Sequence, residues 1–398
     1  MSLNSPTLTS ALKENRTMLT YRRAAIIAAF ILTMIYLLHS SSESSNPPVA
    51  SNHPPTSTAK KSKSDHDSAP PKTTAVIDST ATRPYPPPKL ASSKKENVQR
   101  PMTEVVTKNV RDQLAYQFDY DRAGKFPAYI WQTWKYTPAE ADFGDVFRPA
   151  EASWTELHPG FVHEVVTDQN ALYLLKLLYA SVPDVIETYE SLPLPVMKAD
   201  FFRYLILLAR GGIYTDIDTT ALKSAADWLP EDIPRSNVGL VIGIEADPDR
   251  EDWKDWFSRR IQFCQWTIQA KPGHPVLREL VATIVEDTLR FKKQGKLSAK
   301  KLEKSIVEWT GPAVWTDAVF SYLNNPKYFN VVEGKNVTWE SFTGIDTPKK
   351  VGDVVVLPIT SFSPGVQQMG AKEPDDPMAF VHHDFEGKPK HQLVYNCN

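Results

Sequence analysis

MKADFFRYLILLARGGIYTDIDTTALK, residues 197–223, passes from an apolar helix through a Gly-Gly stop into a short strand that ends on Asp216-Ile217-Asp218. Successive side chains of a strand point to opposite faces, so residues two apart share one face and the carboxylates of Asp216 and Asp218 converge. Two carboxylates on one side suit a hard divalent cation such as Mn²⁺ or Mg²⁺, which completes its shell with water and phosphate oxygens. A cation there would act as a Lewis acid on a departing nucleotide diphosphate. A bare Asp-x-Asp also describes any solvated acidic turn, so the weight lies in the flanking unit. Val196, Phe201, Leu205, Leu208 and Ala209 are spaced to bury one helical face, with Asp200 and Arg203 off that face three residues apart. Gly211-Gly212 ends the helix, because glycine accepts the left-handed conformation of a C-terminal cap. Ile213, Tyr214, Thr215 and Ile217 then supply strand character up to the acidic pair.

The 398-residue chain has 41% hydrophobic residues and a net charge of −2, enough for one large domain or two small ones. So balanced a charge argues against nucleic acid as the partner. Its two cysteines, Cys264 and Cys397, lie far apart, and the sequence does not say whether they pair. The run AAIIAAFILTMIYLL, residues 24–38, carries no charge and follows Lys13, Arg16, Arg22 and Arg23. By the positive-inside rule residues 1–23 form a cytosolic tail, 24–39 a signal-anchor helix, and the rest is translocated. The competing reading, a cleaved signal peptide, fits the length of the apolar core, but such signals start nearer the terminus and end in a small-residue cleavage site. A single-pass type II protein of the Golgi membrane, or of the endoplasmic reticulum, is expected. Residues 40–100 are rich in Pro, Ser, Thr and Lys and poor in large aliphatics. Such a segment buries too little apolar surface to offset its ordering entropy and reads as a disordered stem.

Residues 101–398 remain for a globular domain. Strands are expected over 128–134, 161–167, 238–244 and 261–268. Asp168 is expected to cap a helix through Tyr179 with Leu172, Leu175 and Leu178 inward, and a further helix runs over 274–291. Strands alternating with helices imply an α/β fold with a mostly parallel sheet, whose ligands collect beyond the carboxyl ends of the strands.

The segment ADFFRYLILLARGGIYTDIDT resembles the DXD glycosyltransferases of family 32, which include the fungal initiation-specific α-1,6-mannosyltransferases and, more distantly, the large clostridial glucosylating toxins. Companion motifs follow in order: Ile130-Trp131-Gln132-Thr133-Trp134-Lys135, Gly311-Pro312-Ala313-Val314-Trp315-Thr316-Asp317-Ala318-Val319, and His382-His383. The likeness covers roughly residues 126–390. One departure is that the Gly-Ser-Trp usual after the histidines is replaced by Gly387-Lys388-Pro389, which removes the serine and tryptophan of that motif.

The resemblance implies a GT-A-type nucleotide-sugar-binding domain, with GDP-mannose as donor, Mn²⁺ or Mg²⁺ as cofactor, and retaining transfer of an α-1,6-linked mannose to high-mannose N-glycans on glycoproteins. It makes Asp218 the leading metal ligand, with Asp216 on ribose, sugar or metal-bound water and His383, or else His382, as a further ligand. Asp200, Arg203 and Tyr214 fall on donor contacts, against the plain alternative of a surface ion pair for Asp200 and Arg203. Trp131 stacks on the base or is simple core. Trp315 and Asp317 line the acceptor pocket, unless Asp317 only caps a helix. Two other readings are carried: a relative with a different acceptor, either an elongating member of a Golgi mannosyltransferase complex or one acting on glycolipid, and a catalytically silent glycan-binding scaffold. Asn336-Val337-Thr338 is a glycosylation sequon on the luminal side of this topology, whereas Asn15-Arg16-Thr17 stays cytosolic and unmodified.

Overall fold

The computed structural model describes residues 109–302, 305–329 and 336–385. The expected tail, anchor and stem (residues 1–100), Cys397 and Gly387-Lys388-Pro389 lie outside the described residues. Among the described residues no helix is long and apolar enough to cross a membrane.

Among the described residues there are nine strands: β1 (Tyr129–Trp134), β2 (Val162–Thr167), β3 (Gly212–Thr215), β4 (Thr219–Ala221), β5 (Leu240–Ala246), β6 (Gln262–Ala270), β7 (Lys349–Val351), β8 (Val354–Leu357) and β9 (Val381–His383). Seven make one sheet in the order β2-β1-β3-β6-β5-β8-β7, and β4 pairs with β9 apart from it. β1 runs parallel to both β2 and β3, and β5 parallel to β8, while β6 and β7 run against their neighbours. Five of the seven strands therefore share one direction, and the sheet is mixed but mostly parallel.

Strand alternation sorts the side chains onto two cores. On β8, Val354 and Val356 join the larger cluster while Val355 and Leu357 join the smaller. On β6, Cys264 and Trp266 face the smaller and Ile268 and Ala270 the larger, a change of parity that comes with the irregular register against β5 between Phe263 and Ile268. The larger core is covered by helices. In chain order the helices are α1 (Val110–Gln117), α2 (Arg148–Leu157), α3 (Asp168–Leu178), α4 (Pro183–Ser191), α5 (Pro195–Arg210), α6 (Pro275–Lys293), two short turns α7 (Ala299–Leu302) and α8 (Ile306–Trp309), and α9 (Pro312–Leu323), of which α2 packs instead on the smaller core through Trp154. Two local expectations change. α3 is capped by Thr167, whose hydroxyl accepts from the Asn170 amide at 3.4 Å, and Asp168 sits in its first turn. α5 is not a one-faced helix: every residue from Asp200 to Leu208 is buried, whereas Val196 is 49% exposed. Helices packed from several sides lose the polar face that a 3.6-residue pattern presupposes.

The turn from α5 into β3 fixes everything downstream. Gly211 has φ +64° and closes the helix with its amide on the Leu207 carbonyl at 2.9 Å. Gly212 has φ +96°, and a Cβ there would lie 2.5 Å from the Tyr129 carbonyl oxygen. Both left-handed backbone and close approach require glycine. Gly212→Ala is expected to cost about 2 kcal/mol or more, since strain alone is on the order of 1–3 kcal/mol. An unchanged midpoint in denaturant unfolding would contradict that requirement.

Candidate active site

β3 delivers Asp216 and Asp218 just beyond its carboxyl end, and the chain then turns into β4. The Asp216 carbonyl pins this turn, accepting from the Thr219 hydroxyl at 2.6 Å and from Gln132 Nε2 at 3.1 Å. Gln132 is itself held: His163 Nε2 lies 2.9 Å from its Oε1, and His163 Nδ1 lies 2.8 Å from the Thr155 hydroxyl. Burial drives His163 down to about 4, so it is neutral at ordinary pH. The network then assigns the proton to Nε2, which donates to Gln132, while Nδ1 accepts from Thr155.

The histidine strand arrives by backbone pairing. β4 and β9 are antiparallel with Thr219 opposite His383, and the Asp384 amide donates to the Asp218 carbonyl at 2.9 Å. Adjacent strand residues face opposite ways, and of the two histidines it is His383 that meets the carboxylates. Its Nε2 is 3.1 Å from Asp218 Oδ1, while His382 pairs with Asp384. His383 is wedged against Trp266 and Phe385, with ring centroids 4.5 and 4.0 Å away. One donor atom each from Asp216, Asp218 and His383 fall within 4.8 Å of one another. Two carboxylate oxygens and an imidazole nitrogen fit Mn²⁺ or Mg²⁺, the carboxylates suiting either and the nitrogen favouring Mn²⁺.

Asp200 and Arg203 are not a surface pair: they are 2% and 5% exposed. Arg203 reaches Asp200 at 3.1 Å and Asp216 at 3.2 Å through the same terminal nitrogen. Asp200 also accepts from Gln265 at 3.2 Å and from the Thr310 hydroxyl at 2.9 Å. Burial raises Asp200 above the ordinary 3.8 to about 6, against the pull of Arg203 and Thr310. Asp216 is raised too, by burial first and also by Asp218, with Arg203 opposing. Burial works against the Arg203 charge, but Asp216, Tyr214 and Asp200 outweigh it and hold the guanidinium firmly protonated.

These groups open into a cleft of about 1160 Å³. Asp200, Arg203, Asp216, Asp218, Trp266 and His383 line one part of it, while Glu245 and residues 248–250 and 255–258 line another. β3 and β5 run the same way and both feed the cleft from their carboxyl ends, as α/β sheets do. Four of the nine buried side-chain polar atoms lacking a hydrogen-bond partner among the described residues belong to this lining: Arg203 Nε, Gln262 Oε1, Trp266 Nε1 and His383 Nδ1. Two of the three non-glycine residues with positive φ, Met369 (φ 56°) and Phe385 (φ 53°), also line it. Unsatisfied groups and local strain gather where a ligand is bound.

Other expected site residues are placed elsewhere. Trp131 is core, 7% exposed, with its indole donating to the Gly211 carbonyl at 2.9 Å, so it fastens the Gly-Gly turn and does not line the cleft. Its strand turns it toward the larger core. Tyr214 is fully buried and acts through its hydroxyl, 2.9 Å from Asp216 Oδ1 and 3.1 Å from Thr133, so it positions Asp216 and is not itself in the cleft lining. Trp315 is also fully buried, stacked on Tyr204 at 5.7 Å and bonded to the Cys264 carbonyl at 3.0 Å. Asp317 neither caps α9, whose N-cap is Gly311, nor lines the cleft; it pairs with Arg259 at the surface, 2.7 Å from its Nε. Gly311 and Pro312 do line it. Asn336 is exposed. Sequence reasoning missed Gln132, Gln265 and Thr310, whose only signals were polar positions inside apolar strands or beside Gly311-Pro312.

Residues 144–233, which span the acidic pair, match the family model described as the glycosyltransferase sugar-binding region containing the DXD motif. An initiation-specific alpha-1,6-mannosyltransferase of Candida albicans is 49% identical, covering 71% of this chain and 76% of its own. That of Saccharomyces cerevisiae is 35% identical, over 73% and 83%. This chain belongs to the initiation-specific alpha-1,6-mannosyltransferase family of DXD glycosyltransferases. It is an enzyme of glycosyl transfer. A putative glycosyltransferase of Saccharomyces cerevisiae is 40% identical over 69% of this chain and 68% of its own. Among solved structures, the PaToxG glycosyltransferase aligns over 56% of this chain and 77% of that one, at 15% identity and a TM-score of 0.33, too loose a likeness to bear on function.

The Asp200 environment has a measurable consequence. A carboxyl raised from 3.8 to about 6 on folding keeps its proton longer in the folded state. Its stabilising contribution is complete below the unfolded value and is lost as pH rises through the folded one. The metal-free protein should therefore lose stability between about pH 4 and 6, and Asp200→Asn should flatten that slope in denaturant titrations. Equal slopes in both proteins would place Asp200 at an ordinary value.

Proposed function

We propose that this chain transfers mannose from GDP-mannose, with retention, in α-1,6 linkage to the core of N-linked glycans, on the luminal side of the Golgi membrane and in a GT-A-type domain. The observation that carries the reading is the convergence of Asp216, Asp218 and His383 within 4.8 Å at a strand's carboxyl end, in a chain whose relatives are named initiation-specific alpha-1,6-mannosyltransferases. The mixed, mostly parallel sheet supports the GT-A assignment, and the charge-free run at residues 24–38 supports the anchor.

A divalent cation held by Asp216, Asp218 and His383 would supply Lewis-acid stabilisation of the charge on the departing diphosphate. The chain's own groups do the rest. Arg203 lends a fixed positive charge beside Asp216, worth more in a part-buried cleft than in water because the group is already oriented. Asp200 holds Arg203, and Gln132 and Thr219 hold the Asp216 backbone. His383 Nδ1 has no hydrogen-bond partner among the described residues, so the ring is held by Nε2 against Asp218 and by packing on Trp266 and Phe385. With no carboxylate assigned as a covalent nucleophile, the acceptor hydroxyl attacks from the leaving-group face and its proton passes to the departing phosphate oxygen.

A second reading, the same chemistry on another acceptor, is compatible with the 40% identical relative, whose name specifies neither sugar nor linkage. One experiment separates them. The full-length chain in detergent is offered GDP-mannose, Mn²⁺ and a high-mannose core glycan, with linkage analysis of the product. A new α-1,6-mannose that disappears with chelator, and that falls at least about 1000-fold in Asp218→Asn at unchanged unfolding midpoint, is the expected result; losses on the order of 10²–10³ follow removal of one transition-state contact, and a metal ligand should exceed that. Product on a different acceptor alone would select the second reading, and chelator-insensitive transfer would remove the metal from it.

A further inference from the structure

Residues 247–261 connect β5 to β6, and residues 248–250 and 255–258 of this excursion line the cleft. Asp247 clamps the base of this excursion. Its carboxylate meets Arg260 at 3.0 Å, the Thr343 hydroxyl at 2.9 Å and the Gly344 amide at 2.7 Å, and it is itself buried. Arg260 lies in turn over the Trp339 ring at 4.2 Å. A loop whose two ends are fastened to each other presents its tip as a preformed surface, so that less ordering entropy is lost when a ligand binds.

Trp256 stands at that tip. It lines the cleft yet is 45% exposed, one of the few large apolar side chains so placed. Its indole is fixed: Nε1 donates to Asp252 Oδ2 at 3.2 Å, and the Arg250 guanidinium sits 4.8 Å from the ring centroid. Arg250 is tied to Asp252 by a second bond of 2.7 Å. A rigid, half-exposed aromatic in a polar cleft is a platform for something with one apolar face and a polar rim.

Charge says what that something is. The cleft lining holds six carboxylates, three at the cation end (Asp200, Asp216, Asp218) beside Arg203 and three on the loop side (Glu245, Asp249, Asp255), where the one arginine, Arg250, is already engaged by Asp252 and the Trp256 ring. A nucleotide diphosphate is repelled by the loop side and belongs at the cation end. A neutral sugar is not repelled: its hydroxyls donate to carboxylates, and the C–H face of its ring packs on an indole. We propose that Trp256, with Asp249 and Asp255 beside it, is the subsite that seats the acceptor saccharide. This rests on the mannosyl-transfer reading for the identity of the sugar, though not for the platform itself.

The test is a calorimetric titration of the full-length chain, loaded with GDP and Mn²⁺, with a linear α-mannooligosaccharide. Trp256→Ala is expected to weaken saccharide binding by about 10-fold, and Trp256→Phe to restore most of it. GDP affinity should be the same in all three proteins. Equal saccharide affinity in wild type and Trp256→Ala would overturn the proposal, as would a parallel loss of GDP affinity or the absence of saccharide binding by the wild type. Saccharide binding that depends on Trp256 without any transfer from GDP-mannose would leave the platform standing and remove the donor reading instead.

Discussion

Arg203 is the constraint around which this architecture is arranged. A guanidinium almost wholly withdrawn from solvent is tolerated only with well-placed partners, and leaving it uncompensated costs roughly 3–5 kcal/mol. Its partners come from three places in the chain: Asp200 one turn earlier on α5, Asp216 beyond β3, and the Tyr214 ring, whose centroid lies 5.1 Å away. Satisfying Arg203 thus ties the helix to the end of the strand it feeds. The same contact fixes one of the two carboxylates that gather with His383. Stability and site geometry are not separable here, because the group that must be neutralised for folding is also the group that orients Asp216.

That coupling explains why the carboxylate end of the cleft is built from short-range order while its other ligand comes from far away. Asp216 and Asp218 are separated by one residue on a chain already directed by the Gly-Gly turn, and Trp131 secures that turn from the neighbouring strand. His383 has no such proximity, so a two-stranded ladder does the work. Pairing β9 with the strand immediately after Asp218 gives the histidine a register, and register in a pleated pair decides the face of every side chain. A slip of one residue would present His382 and turn His383 away.

Much of this was legible in the sequence, for identifiable reasons. The Gly-Gly stop and the strand after it follow from local conformational rules, and the observed α5 and β3 agree with them. The acidic pair, expected at the strand's end, sits instead in the turn between β3 and β4, so its convergence is set by that turn and not by strand alternation. Alternation said that only one of His382 and His383 could face the site, and the pairing of His383 with Thr219 decides which. What local rules did not reach was the sorting of large aromatics between core and cleft. Trp131 and Trp315 carry the same residue type as Trp256 and sit in recognisable motifs, yet both are buried with their indole N–H groups satisfied by backbone carbonyls. Trp256 lies in a segment with no motif and is exposed. The difference depends on which elements close over each ring, and that is a tertiary fact. Asp317 shows the same limit, since its partner Arg259 is brought to it only by the packing of α9 against β6.

The cleft that results is polarised along its length. At one end a cation can be held between Asp216, Asp218 and His383, with Arg203 behind, and a diphosphate is attracted there in spite of the surrounding carboxylates because two positive centres lie close together. At the other, on the acceptor proposal, carboxylates that Arg250 only partly offsets and an aromatic surface disfavour a diphosphate and accept a polyol. A donor placed the wrong way round would set its phosphates against Glu245, Asp249 and Asp255, and like charges brought together in a part-buried cleft cost far more than they do in water. Orientation of the donor therefore follows from repulsion at one end as much as from attraction at the other. The acceptor then has one place left to lie, beside the sugar and away from the nucleotide, which is the arrangement a transfer reaction requires.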